Sequence, residues 1–238
     1  MCGRFTLTTD LKALADRFGV SLPASTRVLP RFNIAPTQPV IVIGADGQRF
    51  LQTMRWGLIP SWAKDPAIGN RLINARAETL AEKPAFREAL KTRRCLIPAD
   101  GFYEWQKLGK VKQPVRIVLK SREPFALAGL WDRWRSPENI EVLSCTIITT
   151  AANDLIREIH DRMPGILDRA AEAQWLDPKV NDPVQLLPLL QPYPSELMEY
   201  YPVSRQVNSP SVDAPGNIEP LPQCACDTSL VDPRKPAP

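Results

Sequence analysis

The sequence predicts an α+β fold in which several strands form a closed or strongly curved sheet and short helices pack beside it. Three observations carry that expectation. Residues 114–119, 125–131 and 142–149 are rich in β-branched and aromatic side chains, which suit a pleated, half-buried surface. Residues 40–43 and 49–56 flank Asp46-Gly47, a strong hairpin signal. Apolar residues at helical spacing, such as Leu11, Leu14, Ala15 and Phe18, mark short amphipathic helices between the strands.

Taken in order, residues 2–7 read as strand-like, and Thr9 is placed to cap the first helix, which Gly19 ends. The next stretch, with Pro23, Pro30, Pro36 and Pro39, reads as irregular. After the hairpin, residues 56–64 form a loop carrying Trp56, Pro60, Trp62 and Lys64. Most tryptophans pack in cores, but aromatic rings among cations also suit stacking on unpaired bases. A helix over 84–92 follows, with Phe86, Ala89 and Leu90 as its buried stripe; Arg93-Arg94 puts positive charge at its negative end.

Residues 95–105 read as strand, turn, strand. Glu104 sits among Phe102, Tyr103 and Trp105, so it either points inward with a raised pKa or faces water on an alternating strand. Leu108-Gly109-Lys110 is a turn. A helix over 151–159 stops before Pro164, leaving His160, Asp161 and Arg162 together as a polar cluster or a structural helix end. Helices over 168–176 and 182–190 each begin at Asp, and 198–203 is a last strand. From Asn208 the composition turns to Pro, Ser and Asp, so 209–238 is expected to be a largely disordered tail.

A chain of 238 residues has the length of one domain or two. No apolar run approaches the ~18 residues a membrane helix needs, and no basic-then-apolar leader opens the sequence, so the expectation is a cytoplasmic protein, nucleoid-associated if bacterial. The five cysteines are odd in number and scattered, and His160 is the sole histidine. Neither a disulfide framework nor a metal site is expected, and no cofactor. Residues 1–125 hold 21 Lys and Arg against 10 Asp and Glu, whereas 126–238 hold 9 against 16. Such asymmetry fits a polyanion partner, or a solvated surface whose charges mix on folding.

Cys2 is the chemically distinctive residue. Once the initiator methionine is removed it carries an amine of pKa about 7.7–8.0 and a thiol of pKa about 8.5 on adjacent carbons. An amine condenses with an aldehyde to an imine, and a thiol so placed closes on that imine as a thiazolidine. A small second residue is common, however, and Cys2 alone does not establish the chemistry.

Taken together, Met1-Cys2-Gly3-Arg4-Phe5, Phe32-Asn33-Ile34-Ala35-Pro36, Trp56-Gly57, Asn74-Ala75-Arg76, Gly101-Phe102-Tyr103-Glu104-Trp105, His160-Asp161-Arg162-Met163-Pro164 and Pro202-Val203-Ser204 resemble the SRAP family, the SOS response-associated peptidase or abasic-site processing proteins. The resemblance runs from residue 2 to about 208. It implies a single α+β domain with a curved or barrel-like, mainly antiparallel sheet, and a basic cleft that takes single-stranded DNA containing abasic sites, in a protein expected to be monomeric. It further implies that Cys2 traps the lesion covalently. Asn74 would hold the terminal cysteine and the opened sugar, Glu104 would move protons, and His160 would lie beside the deoxyribose. Arg4 and Arg76 would meet phosphates, with Asn33, Trp56, Trp62 and Arg162 along the DNA path; the loop 61–71 departs from the family pattern. Two rival readings stand beside this one: an N-terminal-nucleophile peptidase, whose simplest act is removal of Met1, and a DNA-binding module without chemistry.

Overall fold

Residues 2–21, 29–46 and 48–222 are described by a computed structural model. Its elements, in chain order, are β1 (Phe5–Leu7), α1 (Leu11–Phe18), β2 (Arg31–Ile34), β3 (Pro39–Asp46), β4 (Gln48–Trp56), β5 (Asn74–Arg76), α2 (Arg87–Thr92), β6 (Arg94–Ala99) and β7 (Gly101–Leu108). They continue with β8 (Val111–Leu119), β9 (Phe125–Arg135), β10 (Glu141–Ala151), α3 (Asp154–Arg157), β11 (Arg162–Pro164), β12 (Ile166–Leu167), α4 (Arg169–Leu176), α5 (Pro183–Leu186) and β13 (Met198–Pro202).

Strands β10, β4, β3, β6 and β9 pair in that order, and β9 pairs back with β10, which closes a barrel. All these pairings are antiparallel except β10 with β4, and β5 continues the parallel edge of β10 with Asn74 opposite Ile147. The second sheet is a five-stranded antiparallel layer in the order β13-β8-β7-β1-β2. The fold is therefore α+β with a closed barrel, as the sequence predicts. Every residue of β6 is buried, because α2 and α4 pack against that strand from outside the barrel. Arg94 joins the two helices to it. Its guanidinium donates to the carbonyls of Leu90 and Lys91 in the last turn of α2, and to those of Trp175, Asp177 and Val180 around the end of α4. Helix ends leave carbonyls without intrahelical partners, and one buried cation satisfies five.

Four local expectations are corrected. The cap of α1 is Asp10, because the Thr9 hydroxyl donates to Asp100 at 3.1 Å instead. Part of the proline-rich stretch is the strand β2; it lies at a sheet edge, where flanking prolines cost no ladder bonds. Helix α3 is a single turn, since Ala151 is still in β10 and pairs with Arg162. Finally, the segment 209–222 of the supposed tail is packed: Asn217 is wholly buried, Ile218 and Leu221 return hydrogen bonds, and Val203 bridges Pro220. Residues 223–238, including Cys224 and Cys226, lie outside the described residues, as does Met1.

The junction of β1 with β7 is fixed by a polar knot. Asp100 accepts from the Thr6 hydroxyl at 2.6 Å, from the backbone and hydroxyl groups of Thr8 and Thr9, and from Arg116 at 3.1 Å. Burial alone would raise its pKa, but the Thr6 and Thr8 donors and Arg116 hold the carboxyl below its usual range. Gly101 leaves room for this arrangement, because a Cβ there would lie 2.6 Å from Arg116 Nε. Gly101→Ala is expected to destabilise the fold by about 1–3 kcal/mol through displacement of Arg116, read as a lower denaturant midpoint at unchanged slope.

Candidate active site

The antiparallel register places Phe5 opposite Phe102, and the Tyr103 amide donates to the Arg4 carbonyl at 3.0 Å. Residues 2–4 consequently run alongside Glu104, which follows Tyr103 on β7. Cys2 is wholly buried, and its carbonyl accepts a 2.9 Å hydrogen bond from Asn74 Nδ2. Asn74 is aimed there because it opens β5, held in parallel register on β10. Its Oδ1 is buried and has no hydrogen-bond partner among the described residues. An orphaned acceptor of this kind is a place for an incoming donor.

Glu104 points inward, between β1 and β8 in its sheet. Burial raises its carboxyl pKa, against the opposing effect of the His160 imidazole. The Cys2 thiol is also pushed up, first by burial and then by the negative charge of Glu104, so sulfur stays protonated until a base takes its proton. His160 follows α3. Its Nδ1 lies 2.9 Å from both the Arg162 amide and Asp161 Oδ1. One nitrogen cannot serve both at once: the neutral ring accepts from the amide and keeps its proton on Nε2, whereas the imidazolium donates from Nδ1 to the carboxylate.

Glu104, Trp105, Lys107, Lys112, Arg157 and His160 line one cleft of about 760 Å³. A second cavity, of about 340 Å³, is lined by Trp62, Asn74, Arg76 and Lys83 among others. Asn74 thus lines the second cavity while it holds Cys2, and both cavities carry an indole beside cations. Trp62 is 59% exposed, as stacking requires, and Arg76 is exposed. The sequence reading missed Trp105, Lys107, Lys112 and Arg157 as cleft residues. The three lysines at 107, 110 and 112 around the Gly109 turn were the available signal.

Two assignments to a DNA path, Trp56 and Asn33, are corrected, and two others, Arg4 and Arg162, already have partners within the fold. Trp56 is wholly buried, donates from Nε1 to the Ile73 carbonyl at 2.8 Å and packs edge-on against Phe5, 5.2 Å between centroids. It supports the strand ahead of Asn74 and is closed to a base. Asn33 is also wholly buried, with Nδ2 donating to the carbonyls of Val207, Ser209 and Val212. Arg4 spends its guanidinium on Asn33 Oδ1 at 2.7 Å and the carbonyls of Val207 and Asn208. Arg162 is paired with Glu78 and Thr149, so a phosphate reaching it has to displace Glu78. That pairing holds the Glu78 carboxyl below its usual range.

Among the described residues no group of three or more His, Cys, Asp or Glu is placed to hold a metal, and no helix is long and apolar enough to cross a membrane. Comparison with known proteins gives concordant results. The chain is 51% identical over 223 residues to the abasic site processing protein YoqW of Bacillus subtilis, covering 92% of this chain and 99% of that one. It is 34% identical to the abasic site processing protein HMCES of Xenopus tropicalis, covering 80% of this chain and 66% of that protein. A crystal structure of a Bacteroides thetaiotaomicron protein superposes with a TM-score of 0.85 at 28% identity, over 92% of this chain and all of the other. The SOS response associated peptidase (SRAP) family model matches residues 1–210, and the chain belongs to that family.

Proposed function

We propose that this protein captures abasic sites in single-stranded DNA as a covalent thiazolidine on Cys2, after Met1 has been removed. The observation that carries this reading is the setting of residue 2: buried, tied by its carbonyl to Asn74, and beside a buried Glu104 that shares its cleft with His160.

The neutral Cys2 amine attacks C1′ of the ring-opened sugar; a C–N bond forms and the carbonyl electron pair goes to oxygen, which takes a proton to give a carbinolamine. His160 speeds opening of the sugar ring by giving a proton to the ring oxygen and recovering one from the C1′ hydroxyl, with no net proton change. Glu104, whose pKa burial raises, gives its proton from the protonated form to the carbinolamine hydroxyl. Water leaves with the C–O pair and nitrogen supplies the electrons of the iminium. The Cys2 thiol then passes its proton to the Glu104 carboxylate while sulfur bonds to the same carbon. Aldehyde, amine and thiol become thiazolidine and water, and Glu104 ends protonated as it began. Ring closure consumes the iminium through which β-elimination would break the strand.

Recognition needs no base edge, because the lesion has none. Lys107, Lys112 and Arg157 on one side and Arg76 and Lys83 on the other suit phosphates, with Trp62 and Trp105 as stacking surfaces. Binding should therefore be insensitive to sequence and weakened by salt. The test is intact mass after mixing the purified chain with an abasic single-stranded oligonucleotide. The expected product has lost Met1, carries the oligonucleotide less one water, and survives a denaturing gel. A complex that forms natively and dissolves on denaturation would leave only a binding module, and cleavage of a peptide library without any adduct would favour a peptidase.

A further inference from the structure

The segment that follows β13 closes over the amino-terminal strand, and its contacts converge two residues from Cys2. Arg4 donates to the carbonyls of Val207 and Asn208 and to Asn33 Oδ1. Asn33 in turn donates from Nδ2 to three carbonyls of the same segment, at positions 207, 209 and 212. Asp213 holds the outer end: it accepts from the amides of Phe32 at 2.5 Å and Asn33 at 3.0 Å and pairs with Arg31. Those amides lie on β2, the edge of the five-stranded sheet, so Asp213 satisfies donors that would otherwise face away from any strand. The Tyr103 hydroxyl bonds with the carbonyls of Phe32 and Asn217, and Trp105 Nε1 donates to Asn208 Oδ1 at 2.8 Å. Residues 211–222 fall beyond the stretch matched by the family model.

We propose that residues 203–222 form a clasp that seats the terminal nucleophile, with Arg4, Asn33 and Asp213 as positioning residues that act on Cys2 through the backbone of residues 2–4 leading into β1. None of the three needs to touch DNA. The clasp rests on the proposed adduct chemistry for its role in catalysis, but its mechanical part stands alone. Release of Asp213 frees two amides of β2, loosens Asn33, and so loosens a side chain that holds Arg4 against the sheet. The Arg4 carbonyl then holds the Tyr103 amide less firmly, and residue 2 drifts from Glu104. A shift of about 1 Å in a reacting atom is enough to cost on the order of 10² in rate.

Asp213→Ala in the full chain is the test, with Asp213→Asn as the conservative partner, because an amide oxygen still accepts from the Phe32 and Asn33 amides. Hydrogen exchange at the Tyr103 amide is expected to be about tenfold faster or more in Asp213→Ala, with the β9–β10 ladder unchanged, and close to wild type in Asp213→Asn. Single-turnover adduct formation at saturating abasic DNA should fall about 10²-fold in Asp213→Ala, with the half-saturating DNA concentration unchanged and the rate restored in Asp213→Asn. Equal exchange at Tyr103 in all three proteins overturns the clasp. So does weakened DNA binding at an unchanged maximal rate, which would place Asp213 on the DNA. If the wild type forms no adduct, the proposed chemistry fails while the exchange result still decides whether the clasp exists.

Discussion

Cys2→Ser is expected to abolish the crosslink that survives denaturation while leaving DNA binding intact. Serine retains the amine, so the imine still forms; it lacks the sulfur that closes the ring, and a bare imine hydrolyses. Borohydride added during the reaction should trap that imine, which separates loss of closure from loss of the first step. Well-oriented intramolecular partners reach effective molarities of about 10⁵ M or more, so the closed form dominates in the wild type and has no substitute in the variant. Cys2 is wholly buried beside Asn74 and Glu104, and a hydroxyl occupies less room than a thiol, so the substitution does not disturb packing by crowding. A stable adduct at undiminished yield on a denaturing gel would refute thiazolidine closure.

Glu104→Gln should slow adduct formation by about 10² to 10⁴, the usual contribution of general acid assistance. The half-saturating DNA concentration should stay within about twofold, since a group that acts only on the transition state lowers the maximal rate without altering ground-state binding. Burial raises the Glu104 pKa, so the protonated acid persists further toward neutrality than an ordinary carboxyl. The wild-type rate should include a limb that falls as pH rises through that raised value, and the glutamine variant should lack it. Stability moves with the same group. Below the ordinary carboxylate range both folded and unfolded chains are protonated there and the substitution is neutral. Between the ordinary value and the raised folded one the unfolded chain gives up its proton first, so stability falls as pH rises, and the loss is complete above the raised value, where the native state keeps a buried carboxylate. Glu104→Gln should therefore melt above the wild type at alkaline pH, with the gap closing in acid.

How much of this was legible in the sequence follows the reach of each interaction. The antiparallel pairing of β3 with β4, the strands over 95–105 and 142–149, and the amphipathic stripes of α1 and α2 rest on local periodicity, and all are present. The inward aim of Glu104 was half legible: its aromatic neighbours suggested it, but only the packing of distant segments over its face of β7 decides it. Trp56 and Asn33 were misplaced because their partners are distant in sequence. The Trp56 indole is held by Ile73, and Asn33 by carbonyls more than 170 positions away. Composition likewise made 209–222 look unstructured, because Pro, Ser and Asp carry few apolar groups. The segment is ordered instead by hydrogen bonds to strand edges, which composition does not reveal.

Arg4 and Val207 stand 203 positions apart and meet across 2.6 Å. Synthesis must add most of the chain after residue 4 before that brace exists. Until then the brace is missing, and a chain that stops short of Val207 should seat its amino end less firmly on the sheet.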